Sequence, residues 1–142
     1  MSHVHFPALR SGGESSSGMT VDASTVGDDA LEELSGRLRG SLVRPDDAEY
    51  DEARTVWNGM IDQHPAFIVR CAGTADVLDA VAFATKRDLP VSVRGGGHNI
   101  AGRAVADDAL LIDLSPMNSV RVDPDAKTAR VEPGVVLNEL DH

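Results

Sequence analysis

Three consecutive glycines followed by a histidine, Gly95-Gly96-Gly97-His98, are the stretch of this chain with the clearest chemical consequence. Glycine loses more backbone entropy on folding than any other residue, so a run of them destabilises unless the main chain must do something that side chains forbid. One use is a tight surface turn, which needs one or two glycines beside Asn or Asp. The other is a concave nest whose successive N–H groups point at one anion, with no side chain to hold phosphate oxygens away. Arg94, next to the run, is either a fixed cation for that anion or one half of a structural salt bridge. His98 offers a nucleophilic imidazole where a bound nucleotide would begin, or it is an ordinary hydrogen-bonding histidine. Metal binding is the weaker reading, because His64 and His98 carry no His-x-x-x-His spacing and no cysteine cluster accompanies them.

The loop is not a Walker loop, since no Gly-Lys-Ser or Gly-Lys-Thr follows, and it is not a G-x-G-x-x-G fingerprint opening directly into a helix. Those absences narrow the ligand away from ATP-driven chemistry and from an ordinary NAD site, while binding of a phosphate or sugar phosphate alone stays open. The chain has 142 residues, of which 42% are hydrophobic, enough to bury a core. Thirteen Lys and Arg against 23 Asp and Glu give a net charge of -10, whose mean field repels phosphate. No nucleic acid and no anionic membrane is expected as a partner, and any phosphate site must be local. The acidic balance itself is read as solubility rather than as an interaction surface. The single cysteine, Cys71, can form no internal disulfide and fits a reducing compartment. Met1 to Arg10 lacks a signal-like apolar run, and no stretch approaches the roughly 20 apolar residues that cross a bilayer, so a cytoplasmic location is expected.

The elements that must position the loop follow from periodicity. Ser11 to Ser24, rich in Ser and Gly, is expected to be disordered. Asp28 to Arg39 has Leu31, Leu34 and Leu38 at helical spacing, acidic residues early and arginines late, and Gly40 to end it. That helix either docks a partner or packs on its own domain. Asp46 to Ala53 reads as a short helix, followed by Trp57, Met60 and Ile61 as buried anchors and a turn at His64-Pro65. Phe67 to Val69 predicts a strand, and Thr74 an N-cap for a helix burying Val77, Leu78, Val81 and Ala82. Leu89-Pro90 closes that helix and Val91 to Val93 returns as a strand, so the two strands are expected to be parallel. The glycine loop then lies at a carboxyl end of the sheet, where open α/β sheets bind ligands. Ala109 to Leu114 predicts a buried strand, Ser119 to Asp123 with Thr128 to Val131 a hairpin, and Val135 to Asp141 the start of a helix.

The string V-S-V-R-G-G-G-H-N-I-A-G resembles the FAD-binding domain of the vanillyl-alcohol oxidase and p-cresol methylhydroxylase superfamily, and most of all the berberine-bridge-enzyme-like oxidases. The likeness runs from about Tyr50 to His142 and includes I-V-R-C-A-G-T-A-D-V, L-L-I-D-L-S-P-M-N-S-V and A-R-V-E-P-G-V-V-L-N-E-L. It implies an α+β fold, the N-terminal part of a PCMH-type FAD-binding domain, with a strand-helix-strand unit followed by short strands and a hairpin. It implies that the main chain over Arg94, Gly95, Gly96, Gly97, His98 and Asn99 holds the FAD pyrophosphate, with Gly102 closing the motif. The position of His98 is that of a histidine bonded in many relatives to the 8α-methyl of the flavin, a bond that tends to raise its potential.

The full-length family oxidises an organic alcohol or C–H substrate by hydride transfer to the flavin. Relatives carry a substrate domain and a catalytic base that find no match here, so no catalytic residue is assigned, and neither Cys71 nor Tyr50 is a stand-in. Residues 1–45 are expected to be a disordered extension with one short helix, and 46–142 an incomplete FAD-binding domain. The chain is accordingly expected to be a fragment, with a catalytically inactive FAD-binding remnant or interaction module as the alternative to an enzyme.

Overall fold

The computed structural model describes residues 22–55, 62–96 and 106–136. Its centre is the expected strand-helix-strand unit, β2 (Phe67–Arg70), α3 (Thr74–Arg87) and β3 (Val91–Arg94), but the two strands do not pair with each other. The later strand β4 (Leu110–Asp113) lies between them, parallel to both, with Phe67 and Val91 each level with Leu110 and with Arg70 and Arg94 each level with Asp113. Flanked on both edges and covered on both faces, β4 buries all four residues, which is why its sequence is a continuous apolar run rather than an alternation. The expected hairpin forms a separate two-stranded sheet, β5 (Val120–Asp123) with β6 (Thr128–Val131), exposed along its length.

The other edge of the main sheet is β1 (Ser41–Val43), antiparallel to β2, which completes the order β1-β2-β4-β3. At three residues it is too short to show a period-two signal, and it was not expected. It follows α1 (Asp28–Arg37), which ends two residues before the predicted Arg39. Ala23, Leu31 and Leu34 are buried in the same cluster as Phe67, Val69, Leu110 and Ile112. From Asp22 onward, therefore, the segment expected to be an extension is part of the domain, because its leucine stripe finds the sheet and α3 to cover. The opposite face is closed by α2 (Tyr50–Arg54), shorter than predicted because residues 45–49 are taken up by turns. Tyr50 and Ala53 pack there with Val43, Ile68 and Leu111, and the Tyr50 hydroxyl donates 2.6 Å to the Pro65 carbonyl. Trp57, Met60 and Ile61 lie outside the described residues.

Helix α3 differs from expectation at its start and in the face it buries. Gly73, not Thr74, is the N-cap, and no side chain caps it. The buried stripe is Asp76, Ala80, Phe83 and Ala84, whereas Leu78 is 66% exposed and Val81 46%. Both stripes have helical spacing, and the larger ring decides: Phe83 meets Phe67 edge-on with ring centroids 6.2 Å apart. The helix ends on Asp88 in the left-handed conformation, φ 54°, letting the Leu89 N–H return to the Ala84 carbonyl.

Asp76 is 1% exposed, and its carboxylate accepts N–H bonds of 2.8 Å from Ala72, Arg39 and Gly40. It thereby ties the segment after α1 to the start of α3. Gly40 is required for that approach, since a Cβ there would stand 1.8 Å from the Arg70 carbonyl oxygen. Burial raises the Asp76 carboxyl, but the three N–H donors and nearby Arg39 outweigh it and hold it below the usual aspartate value. A depressed carboxyl stabilises the fold above its ordinary pKa and loses that contribution as pH falls through the lower, folded value. Asp76→Ala should cost about 3 kcal/mol in urea unfolding at neutral pH, because buried donors are left unpaired. The variant should also lose less stability than the parent on acidification below about pH 4, the ordinary aspartate range. Equal acid sensitivity in the two proteins would show that Asp76 is not the titrating group.

Candidate cofactor-binding site

The glycine run leaves the carboxyl end of β3, so Gly95 stands at the edge of the sheet that the sequence pointed to. The residue before it is anchored. Arg94 is 6% exposed, and its guanidinium meets Asp113 through Nε to Oδ1 at 3.2 Å and Nη2 to Oδ2 at 2.8 Å, while Nη1 donates 2.9 Å to the Thr55 carbonyl. Of the two roles open to Arg94, the side chain takes the structural salt bridge. Asp113 is 0% exposed. Its Oδ1 also accepts the Ser115 N–H at 3.0 Å, while Oδ2 makes only Coulombic contacts, to Arg94 and, at 3.4 Å, to Arg70 Nε. Arg70, Asp113 and Arg94 thus form a row across the ends of β2, β4 and β3.

The first glycine has a packing reason that the sequence did not reveal. A Cβ on Gly95 would lie 2.4 Å from the Pro133 carbonyl oxygen, so the turn after β6 rests directly on the main chain of the loop. That turn is held in turn by Gly134, whose N–H donates 2.8 Å to the Met117 carbonyl. A Cβ on Gly134 would stand 2.5 Å from both the Leu114 and Ser115 oxygens. Among the described residues, the N–H groups of Gly95 and Gly96 take no hydrogen-bond partner. An FAD diphosphate fits such donors, and the engaged Arg94 side chain does not block them. Gly97, His98, Asn99 and Gly102 lie outside the described residues.

Asp113 and Pro133 were missed as supports of the loop. The available signal for Asp113 was a carboxylate closing an otherwise apolar strand, which cannot be buried without a cation. Cys71 is 0% exposed, and burial, followed by Asp76 and Asp113, pushes its thiol up to about 12. It is the small buried side chain that the sequence suggested. A groove of about 120 Å³ between α1 and α3 is lined by Glu33, Arg37, Asp79, Phe83, Lys86 and Arg87. It belongs to the end of α3 that leads into the start of β3, away from the glycines.

Gly95→Ala should destabilise the chain by about 1 to 3 kcal/mol in urea unfolding, the usual cost of forcing an extra carbon into a packed contact. An unchanged midpoint would refute the contact with Pro133. Cys71 should resist thiol reagents at mildly alkaline pH in the native chain and react once urea is added.

The FAD binding domain family matches residues 65–142, more than half of the chain. The (R)-6-hydroxynicotine oxidase of Paenarthrobacter nicotinovorans is 37% identical over 103 residues, 72% of this chain and 22% of that protein. The FAD-linked oxidoreductase YgaK of Bacillus subtilis is 36% identical over 104 residues, 73% of this chain and 23% of that protein. The crystal structure of 6-hydroxy-D-nicotine oxidase from Arthrobacter nicotinovorans superposes with a TM-score of 0.69 at 37% identity, covering 72% of this chain and 23% of that one. Physcomitrella patens BBE-like 1 gives a TM-score of 0.64 at 26% identity, covering 71% of this chain and 22% of that one. This chain therefore spans less than a quarter of the length of these relatives and corresponds to their N-terminal part. The α+β arrangement, the glycine-bearing carboxyl edge and these likenesses agree, and the chain belongs to the FAD binding domain family carried by berberine-bridge-enzyme-like FAD-linked oxidoreductases.

Proposed function

We propose that this chain supplies the diphosphate-holding part of an FAD-dependent oxidoreductase that removes a hydride from an alcohol or C–H carbon of a small organic substrate. The observation that carries the reading is the pair of N–H groups on Gly95 and Gly96, without a partner among the described residues, at the carboxyl end of a parallel strand. Main-chain donors there, continued through Gly97, His98 and Asn99 to Gly102, bind the diphosphate without a bulky side chain between protein and oxygen. Arg94 belongs to this set through its backbone, because its guanidinium is engaged with Asp113 and Thr55. When bound, FAD supplies the ring that accepts the hydride, and the role of this segment is to hold and orient it.

His98 is proposed as the covalent attachment point to the flavin 8α-methyl, supported by its place directly after the glycines. Cys71, buried and with its thiol pushed up to about 12, is not proposed as a second attachment. A cytoplasmic setting suits the lone thiol and the acidic charge.

Protein expressed with ample flavin should stay yellow after acid precipitation. His98→Ala should release FAD into the acid supernatant while still binding it before precipitation. Colourless, well-folded wild-type protein would end the flavin reading. Turnover with artificial electron acceptors distinguishes the enzyme from the remnant, which binds FAD and reduces nothing.

A further inference from the structure

We propose that Asp113 is a positioning residue for the flavin loop. By fixing the Arg94 guanidinium it sets the direction in which the main chain leaves β3, so that the Gly95 and Gly96 N–H groups, and not the arginine, meet the diphosphate. The inference rests on the FAD reading above. All three guanidinium nitrogens of Arg94 are engaged, two by Asp113 and one by the Thr55 carbonyl. The adjoining main chain is held at the same point: the Arg94 carbonyl accepts the Leu114 N–H at 2.7 Å, and the Asp113 carbonyl accepts the Cys71 N–H at 2.9 Å. With Ser115 N–H on its Oδ1, Asp113 thus gathers the chain exits from β2, β3 and β4.

Charge points the same way. Two arginines, Arg70 and Arg94, share the Asp113 carboxylate, so these three side chains together carry one net positive charge in a chain whose total is -10. The side chain of Arg94 is 7% exposed and that of Arg70 38%. That trio therefore favours an anion beside it while the buried arginine itself stays in the sheet.

The test is FAD affinity of the full chain, read by flavin fluorescence, alongside thermal melting followed by circular dichroism. D113N keeps the acceptor for Ser115 and removes the charge; it should weaken FAD binding roughly tenfold or more, the scale seen when an outer partner of a binding group is lost. R94K and R94Q should lose equal amounts, because an ammonium cannot span Asp113 and the Thr55 carbonyl together. An arginine that bound phosphate directly would be largely replaced by lysine. The double variant D113N/R94Q should bind no worse than D113N alone, since both act through one contact. Folded D113N with wild-type affinity, or R94K with wild-type affinity, overturns the proposal. Should D113N fail to fold, the comparison of R94K with R94Q decides by itself. Wild-type protein that binds no FAD removes the flavin reading, and this inference with it, before any variant is compared.

Discussion

A carboxylate without access to water, Asp113, must be matched by positive charge, and the carboxyl edge of the sheet is organised around that need. Breaking a buried pair by removing one partner typically costs about 3 to 5 kcal/mol, because the survivor is left uncompensated. Arg94 and Arg70 supply the match from the two neighbouring strands, each level with Asp113 in the parallel register. The same register places the start of the glycine loop beside the turn after β4. The ion pair and the loop are consequently one construction: the charge pairing fixes the strand ends, and the strand ends fix where the loop begins.

The glycines divide their work. Gly95 gives up its side chain to the fold, where the Pro133 carbonyl occupies the space a Cβ would take. Its N–H and that of Gly96 stay uncommitted among the described residues. A backbone that packs on one side and offers donors on the other is available only to a residue without a side chain. The contact with Pro133 and the uncommitted N–H are compatible in one residue.

A second buried carboxylate, Asp76, gathers the chain at the start of α3 as Asp113 does at the loop, with N–H donors in place of arginines. It joins the segment after α1 to α3, and that join is what makes residues from Asp22 onward part of the domain. The relatives match this chain over a stretch that is less than a quarter of their own length. Leu78 and Val81 on α3 and Val91 and Val93 on β3 are apolar residues that stay exposed.

Composition, the order of elements and the glycine-histidine motif were enough to determine the strand-helix-strand unit, the hairpin and the family, because these depend on local periodicity and on an unusual local string. Which stripe of α3 faces the sheet was not legible, since two stripes had helical spacing and only contact with Phe67 chose between them. The strand β1 escaped notice because three residues carry no period, and it exists only by pairing with β2. The partner of Arg94 was undecided for a similar reason. Arg94 and Asp113 are 19 residues apart in sequence, and nothing short of the parallel register could bring a guanidinium beside a buried carboxylate rather than beside a phosphate. Local physics named the elements and their chemistry; long-range pairing decided which charges and faces were spent inside the protein.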